Sequence, residues 1–104
     1  MIKISEMQTL QTIGGAIKKR YSKVNHGETI IIIRQSEDHF VAYAAQCTHQ
    51  GTEVKLPKGG IIVCPNHGSR FNIRDGKVLD GEAYQPLHQI QTQYDKAHGL
   101  LKIG

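Results

Sequence analysis

Cys47-Thr48-His49-Gln50-Gly51-Thr52-Glu53-Val54-Lys55-Leu56-Pro57-Lys58-Gly59-Gly60-Ile61-Ile62-Val63-Cys64-Pro65-Asn66-His67 contains both cysteines of the chain and two of its six histidines. The ligand-type residues form two short pairs, Cys47-x-His49 and Cys64-x-x-His67, separated by the fourteen residues from Gln50 to Val63. Each pair places a thiolate and an imidazole within one loop turn. Together they offer two sulfur and two nitrogen donors, a set that suits tetrahedral zinc or an iron-containing cluster. Leu56-Pro57-Lys58-Gly59-Gly60 marks a turn between the pairs, and Ile61-Ile62-Val63 reads as a short strand leading into Cys64.

The spacing separates the chemistries. Structural zinc usually takes two cysteines from one loop and two histidines from a following helix, whereas here each loop carries one of each and no helical period separates them. A two-iron two-sulfur cluster accounts for the pattern better, with both cysteines on one iron and both histidines on the other when the loops face each other. Zinc, and a Cys47–Cys64 disulfide with surface histidines, are the competing readings. His26, His39, His88 and His98 have no donor at short spacing and read as surface or partly buried side chains.

Outward from the motif the chain reads as β structure. Thr29 to Arg34 is β-branched, Gln35 to Asp38 is turn-like, and His39 to Ala45 returns with Phe40, Ala42 and Ala44 on one face, which predicts a hairpin delivering Cys47. Phe71-Asn72-Ile73 and Lys77-Val78-Leu79 flank Asp75-Gly76, a tight-turn signal, and a further turn surrounds Asp80-Gly81. Gln89 to Tyr94 pairs with Leu100 to Ile103 as a closing hairpin. Ser5-x-x-Gln8 fits a capping pattern for one turn of helix, ended by Gly14-Gly15. The sum is about eight to ten short strands and one helix or none: an all-β antiparallel domain over residues 1–104, with 45–72 as the cluster-binding loops.

Composition bounds the function. One domain fits a chain of 104 residues, small enough for a bound metal centre to matter to its stability. The longest aliphatic run is Ile30 to Ile33, far short of the roughly 20 apolar residues that span a bilayer, so no direct membrane insertion is expected. Met1-Ile2-Lys3-Ile4 passes at once into polar residues, and the chain reads as cytoplasmic, or periplasmic if a leader or anchor has been removed. Thirteen Lys and Arg against nine Asp and Glu leave a charge of +4, but only Lys18-Lys19-Arg20 with Lys23 cluster. That is a solvated patch or a docking patch for an acidic protein, without the stripe a nucleic-acid binder shows.

The double motif resembles that of Rieske iron-sulfur domains, Cys-x-His followed after a loop by Cys-x-x-His. The likeness runs from Gly14-Gly15 through Cys47-Thr48-His49-Gln50-Gly51 and Cys64-Pro65-Asn66-His67-Gly68-Ser69-Arg70-Phe71 to Gly81 and Pro86-Leu87. It implies that Cys47 and Cys64 bind a buried iron and His49 and His67 an outer one, in three stacked antiparallel sheets with the cluster at one tip. Three departures from respiratory members stand out. Those proteins join cysteines at the positions of Thr52 and Asn66 in a disulfide across the two loops. They carry a tyrosine where Phe71 stands, so a serine hydroxyl toward a cluster sulfide is kept at Ser69 and a tyrosine hydroxyl is lost. They place a proline where this chain has Glu82, beside Gly81.

The functional reading is a single-electron carrier with no substrate turnover of its own, a soluble ferredoxin whose redox partner is an oxygenase, a reductase or a cytochrome. A subunit or fragment of a respiratory oxidoreductase, a zinc-stabilised interaction module, and a sensor that signals by losing its cluster are the alternatives. Gly51 and Gly68 read as close-approach positions for backbone amides, Pro65 as a stiffener of the second loop, and Phe71 as core beneath the cluster. Arg70 and Lys55 read either as flanks of a docking face or as solvated charge. With Ser69 present and a tyrosine absent, the potential is placed inside the family span of roughly −150 to +300 mV, below respiratory members.

Overall fold

Two heavy atoms on Cβ stiffen isoleucine and valine into extended backbone, and the Ile30–Arg34 run forms the strand from which the domain is built. In the computed structural model, which describes residues 2–47, 52–65, 68–81 and 85–104, ten strands follow in chain order. They are β1 (Ile2–Lys3), β2 (Ala16–Lys19), β3 (Ile30–Arg34), β4 (Phe40–Ala44), β5 (Ile61–Val63), β6 (Arg70–Asn72), β7 (Val78–Asp80), β8 (Gln89–Ile90), β9 (Thr92–Asp95) and β10 (Leu100–Ile103). They make three antiparallel sheets of order β1-β10-β9, β2-β3-β4-β8 and β5-β6-β7. The β3–β4 hairpin has the expected register, Ile30↔Ala44 to Arg34↔Phe40, closed by the Gln35 amide donating to the His39 carbonyl at 2.8 Å.

The β2-β3-β4-β8 sheet is the middle layer. Ile31, Ile33, Val41 and Tyr43 point to one side, where they pack with Ile62 and Phe71 of the small β5-β6-β7 sheet and with both cysteines. Ile30, Ile32, Phe40 and Ala42 point to the other, against Ile2, Leu10 and Leu101. Phe40, Ala42 and Ala44 do share one face, as the sequence predicts, but the opposite face is covered too and all five residues of β4 are buried. A strand covered on both sides needs apolar residues on both, so alternation is hidden.

Three further expectations change. Gln89 to Tyr94 is not one strand: β8 pairs with β4, β9 pairs with β10, and Gln91 marks the switch between layers. The Thr92 hydroxyl donates to the Phe40 carbonyl at 2.9 Å, tying the switched strand back to the middle sheet. The helical turn near Ser5 is two 3-10 turns, Ile4–Glu6 and Gln8–Gln11, with no side-chain cap, because Ile2–Lys3 is already committed to β10. Asp75-Gly76 does lie between paired strands, but in the connection 73–77, with Gly76 alone at positive φ (73°) and the Asn72 amide donating to the Lys77 carbonyl at 2.9 Å.

Tyr43 joins the middle layer to the small sheet. Its hydroxyl donates to the Ile73 carbonyl at 2.8 Å, the same oxygen that accepts from Gln35 Nε2 at 2.8 Å. Its ring lies so close to Gly76 that a Cβ there would sit 2.9 Å from Cε1. Burial, and then the charge of Asp75, push the Tyr43 hydroxyl well above the ordinary tyrosine range.

Tyr43→Phe should cost about 1 kcal/mol in denaturant unfolding, since Gln35 still serves the Ile73 carbonyl. The folded chain keeps the Tyr43 proton to higher pH than the unfolded chain, which ionises near about pH 10. Stability is therefore fully present below that pH and is lost as pH rises above it. Tyr43→Phe should flatten this alkaline slope in a pH series of unfolding curves. Tyr21, also raised by burial, should keep part of it.

Candidate metal centre

Two hairpins present the cysteines, each pinched at its base by backbone hydrogen bonds. In the first, the Val54 amide donates to the Ala45 carbonyl at 2.7 Å and the Cys47 amide to the Thr52 carbonyl at 2.7 Å, with an antiparallel bridge between Gln46 and Glu53. In the second, which leaves β5 and returns as β6, the Cys64 amide donates to the Ser69 carbonyl at 2.8 Å and the Gly68 amide to the Cys64 carbonyl at 3.1 Å. The Lys55 amide donates to the Val63 carbonyl at 3.0 Å and so links the hairpins side by side.

Each cysteine stands at the start of its hairpin, where the chain leaves the core. Cys47 is 2% exposed and Cys64 1%, neither is in a disulfide, and both belong to one buried cluster with Val54, Ile62, Phe71 and Leu87. This corrects the disulfide alternative. Buried thiols in apolar surroundings are inert until a metal takes their protons. Two separate loops therefore bring two soft sulfur donors to one dry layer, with an imidazole residue two or three positions further along each loop, and the donor set fits a two-iron cluster. His49, His67 and Gly51 lie outside the described residues, as do Asn66 and Glu82, and sequence spacing carries their place in the site.

Ser69 is fully buried, and Gly81 is pressed against it: an added Cβ would meet the Ser69 backbone and come 2.7 Å from Oγ. Gly81 is also at φ 100°, a conformation other residues avoid. The cradle explains why glycine stands there beside the second hairpin. Gly68, at φ 72°, gives the second hairpin its bend. Phe71 is buried opposite Ile62, so its ring fills the core. Arg70 and Lys55 are exposed, as are His26, His39, His88 and His98. Asn25, Thr29 and Gln46, which the sequence did not single out, form a polar knot beneath the first hairpin.

Gly81→Ala should clash with Ser69 backbone that has little room to yield. The expected cost is about 1–3 kcal/mol of stability, together with reduced iron content per chain. Full iron loading and an unchanged unfolding midpoint would contradict the packing described.

Comparison with known proteins agrees with this geometry. Residues 6–92 match the family described as Rieske [2Fe-2S] domain. Over 82 residues the chain is 29% identical to the cytochrome b6-f complex iron-sulfur subunit of Chlorobaculum tepidum, covering 78% of this chain and 39% of that subunit; it thus spans about two fifths of that relative's length. The cyanobacterial plasma membrane Rieske protein PetC3 from Synechocystis PCC 6803 superposes with a TM-score of 0.74 at 28% identity, over 94% of this chain and 93% of that one. The ferredoxin of carbazole 1,9a-dioxygenase from Nocardioides aromaticivorans IC177 shares the fold, with a TM-score of 0.66 at 20% identity over 91% and 90% of the two chains. No helix among the described residues is long and apolar enough to cross a membrane. The family match runs from the first 3-10 turn into β9 and so spans both cysteine hairpins; the chain belongs to the Rieske [2Fe-2S] domain family, electron carriers that hold one two-iron two-sulfur cluster.

Proposed function

We propose that this protein works as a soluble ferredoxin, passing single electrons to or from a partner oxidoreductase, with Cys47 and Cys64 holding one iron and His49 and His67 the other. The observation that carries the ligand assignment is the burial of both thiols in one apolar layer at the bases of paired hairpins. When bound, the cluster supplies one-electron chemistry and leaves no open position for a substrate. Cys47 and Cys64 keep water from the inner side. The buried Ser69 hydroxyl serves as a donor that favours the more negative, reduced state, and Phe71 has no hydroxyl to add a second. Exposed Arg70 and Lys55 flank the hairpins and suit a partner with an acidic face.

The carrier role is supported by the fold. The dioxygenase ferredoxin shares it over 91% of this chain and 90% of that one. A second reading, the electron-transfer domain of a respiratory or photosynthetic complex, is favoured by the identity to the cytochrome b6-f subunit.

Cys64→Ala should abolish iron and acid-labile sulfide binding and the electron paramagnetic resonance signal of the reduced wild-type protein; retention of both would remove Cys64 from the ligand set. Ser69→Ala should keep the iron and lower the midpoint potential in protein-film voltammetry. For the carrier role, the reduced protein should pass electrons to a Rieske-type oxygenase and show a potential below the top of the range of roughly −150 to +300 mV. A potential at the top of that range, with rapid transfer to a c-type cytochrome and none to an oxygenase, would favour the second reading.

A further inference from the structure

A ligand hairpin must be held still if its thiolate is to meet iron at fixed geometry. The chain has two cysteines and neither is in a disulfide, so the restraint on the first hairpin has another origin than a crosslink.

The carbonyl oxygen of Thr29, the residue just before β3, accepts three donors: the Ala45 amide at 3.0 Å, Asn25 Nδ2 at 3.2 Å and Gln46 Nε2 at 3.2 Å. Asn25 Nδ2 also donates to Gln46 Oε1 at 3.0 Å. The three groups close a triangle in which each amide has one consistent orientation. Gln46 immediately precedes Cys47 and faces Glu53 across the hairpin. Glu53 is held as well: Lys18 Nζ donates to its carboxylate at 3.3 Å, and the neighbouring Thr29 hydroxyl, then Lys18, keep that carboxyl below the usual range, while Arg20 Nε donates to the Thr29 hydroxyl at 3.2 Å. One arm of the hairpin is thus fastened to Thr29 through Gln46, and the other is held by Lys18 through Glu53.

The backbone that brings Asn25 into place is itself unusual. Asn25, His26 and Gly27 stand in succession at φ 51°, 55° and 78°. Left-handed backbone is unfavourable for residues other than glycine and persists where surrounding contacts hold it. Asparagine tolerates it better than most residues, and here its side chain adds two contacts, to Thr29 and Gln46, to the backbone hydrogen bonds of the loop.

We propose that Asn25 and Gln46 are positioning residues for Cys47. By clamping the first ligand hairpin to the Thr29 carbonyl, they hold the arm that carries its thiol in place. The proposal rests on the assignment of Cys47 as a ligand.

The test uses the iron-loaded protein and two variants. Asn25→Gly removes both side-chain hydrogen bonds but tolerates the positive φ, so backbone strain is not added; Gln46→Ala removes the partner. Each should release iron to a chelator about fivefold faster or more, the scale of one lost hydrogen bond. The double variant should be little faster than either single one, because the two side chains share one triangle. Hydrogen exchange should rise in peptides covering 45–54 and stay unchanged in those covering the second hairpin, and the g-values of the reduced protein should shift. Release within twofold of wild type with unaltered g-values would overturn the proposal, as would exchange rising equally over both hairpins. A wild-type protein that binds no iron would count against the ligand assignment; the exchange contrast between 45–54 and the second hairpin would still decide whether the clamp exists.

Discussion

Burial of the β3–β4 ladder on both faces is the constraint on which the rest of the structure depends. Isoleucines at 30, 31, 32 and 33, opposite an apolar β4, give the chain one sheet that cannot face water on either side. One outer layer supplies Ile2 and Leu101. The other supplies Ile62, Phe71 and the two cysteines. The layer that carries the cysteines is therefore a structural necessity, since without it Ile31, Ile33 and Tyr43 would be left exposed. Burial of a large aliphatic side chain is worth about 1.5–3 kcal/mol, so the side chains at this junction outweigh any surface ion pair in the chain.

Against that apolar junction, the polar contacts act as locators. The Tyr43 hydroxyl and Gln35 both aim at the Ile73 carbonyl and fix where the small sheet sits on the middle one. Thr29, Asn25 and Gln46 do the same for the first hairpin. Apolar packing tolerates sliding, whereas a hydrogen bond loses its value within a fraction of an ångström. A site that must hold two irons at fixed spacing draws on both kinds of contact, the first for strength and the second for register.

What could be read in the sequence was what local spacing encodes. Cys47-x-His49 and Cys64-x-x-His67 signal a metal centre because short intervals fix which donors share a loop, and Ile30–Arg34 signals a strand because β-branching acts residue by residue. The features that escaped are those decided by distant partners. β2 was visible only as a basic cluster, since Ala16–Lys19 is an edge strand whose identity comes from pairing with β3. The break at Gln91 follows from which sheet each half of the segment meets. Asn25, Thr29 and Gln46 are ordinary polar residues in a linear reading, and become a unit only when the β3–β4 hairpin carries Gln46 back beside Thr29. Gly81 was legible as a turn, but its packing on Ser69 was not.

The pairing of β1 with β10 brings Ile2 opposite Leu101, on the side of the middle sheet away from the cysteines. A peptide continuing from either strand would thus begin in the layer opposite the cysteines, with Gly104 beside Val24. A terminal tag used to attach the protein to an electrode, or a tether joining it to a second domain, would start from that layer and leave the sheet that carries the second cysteine hairpin uncovered.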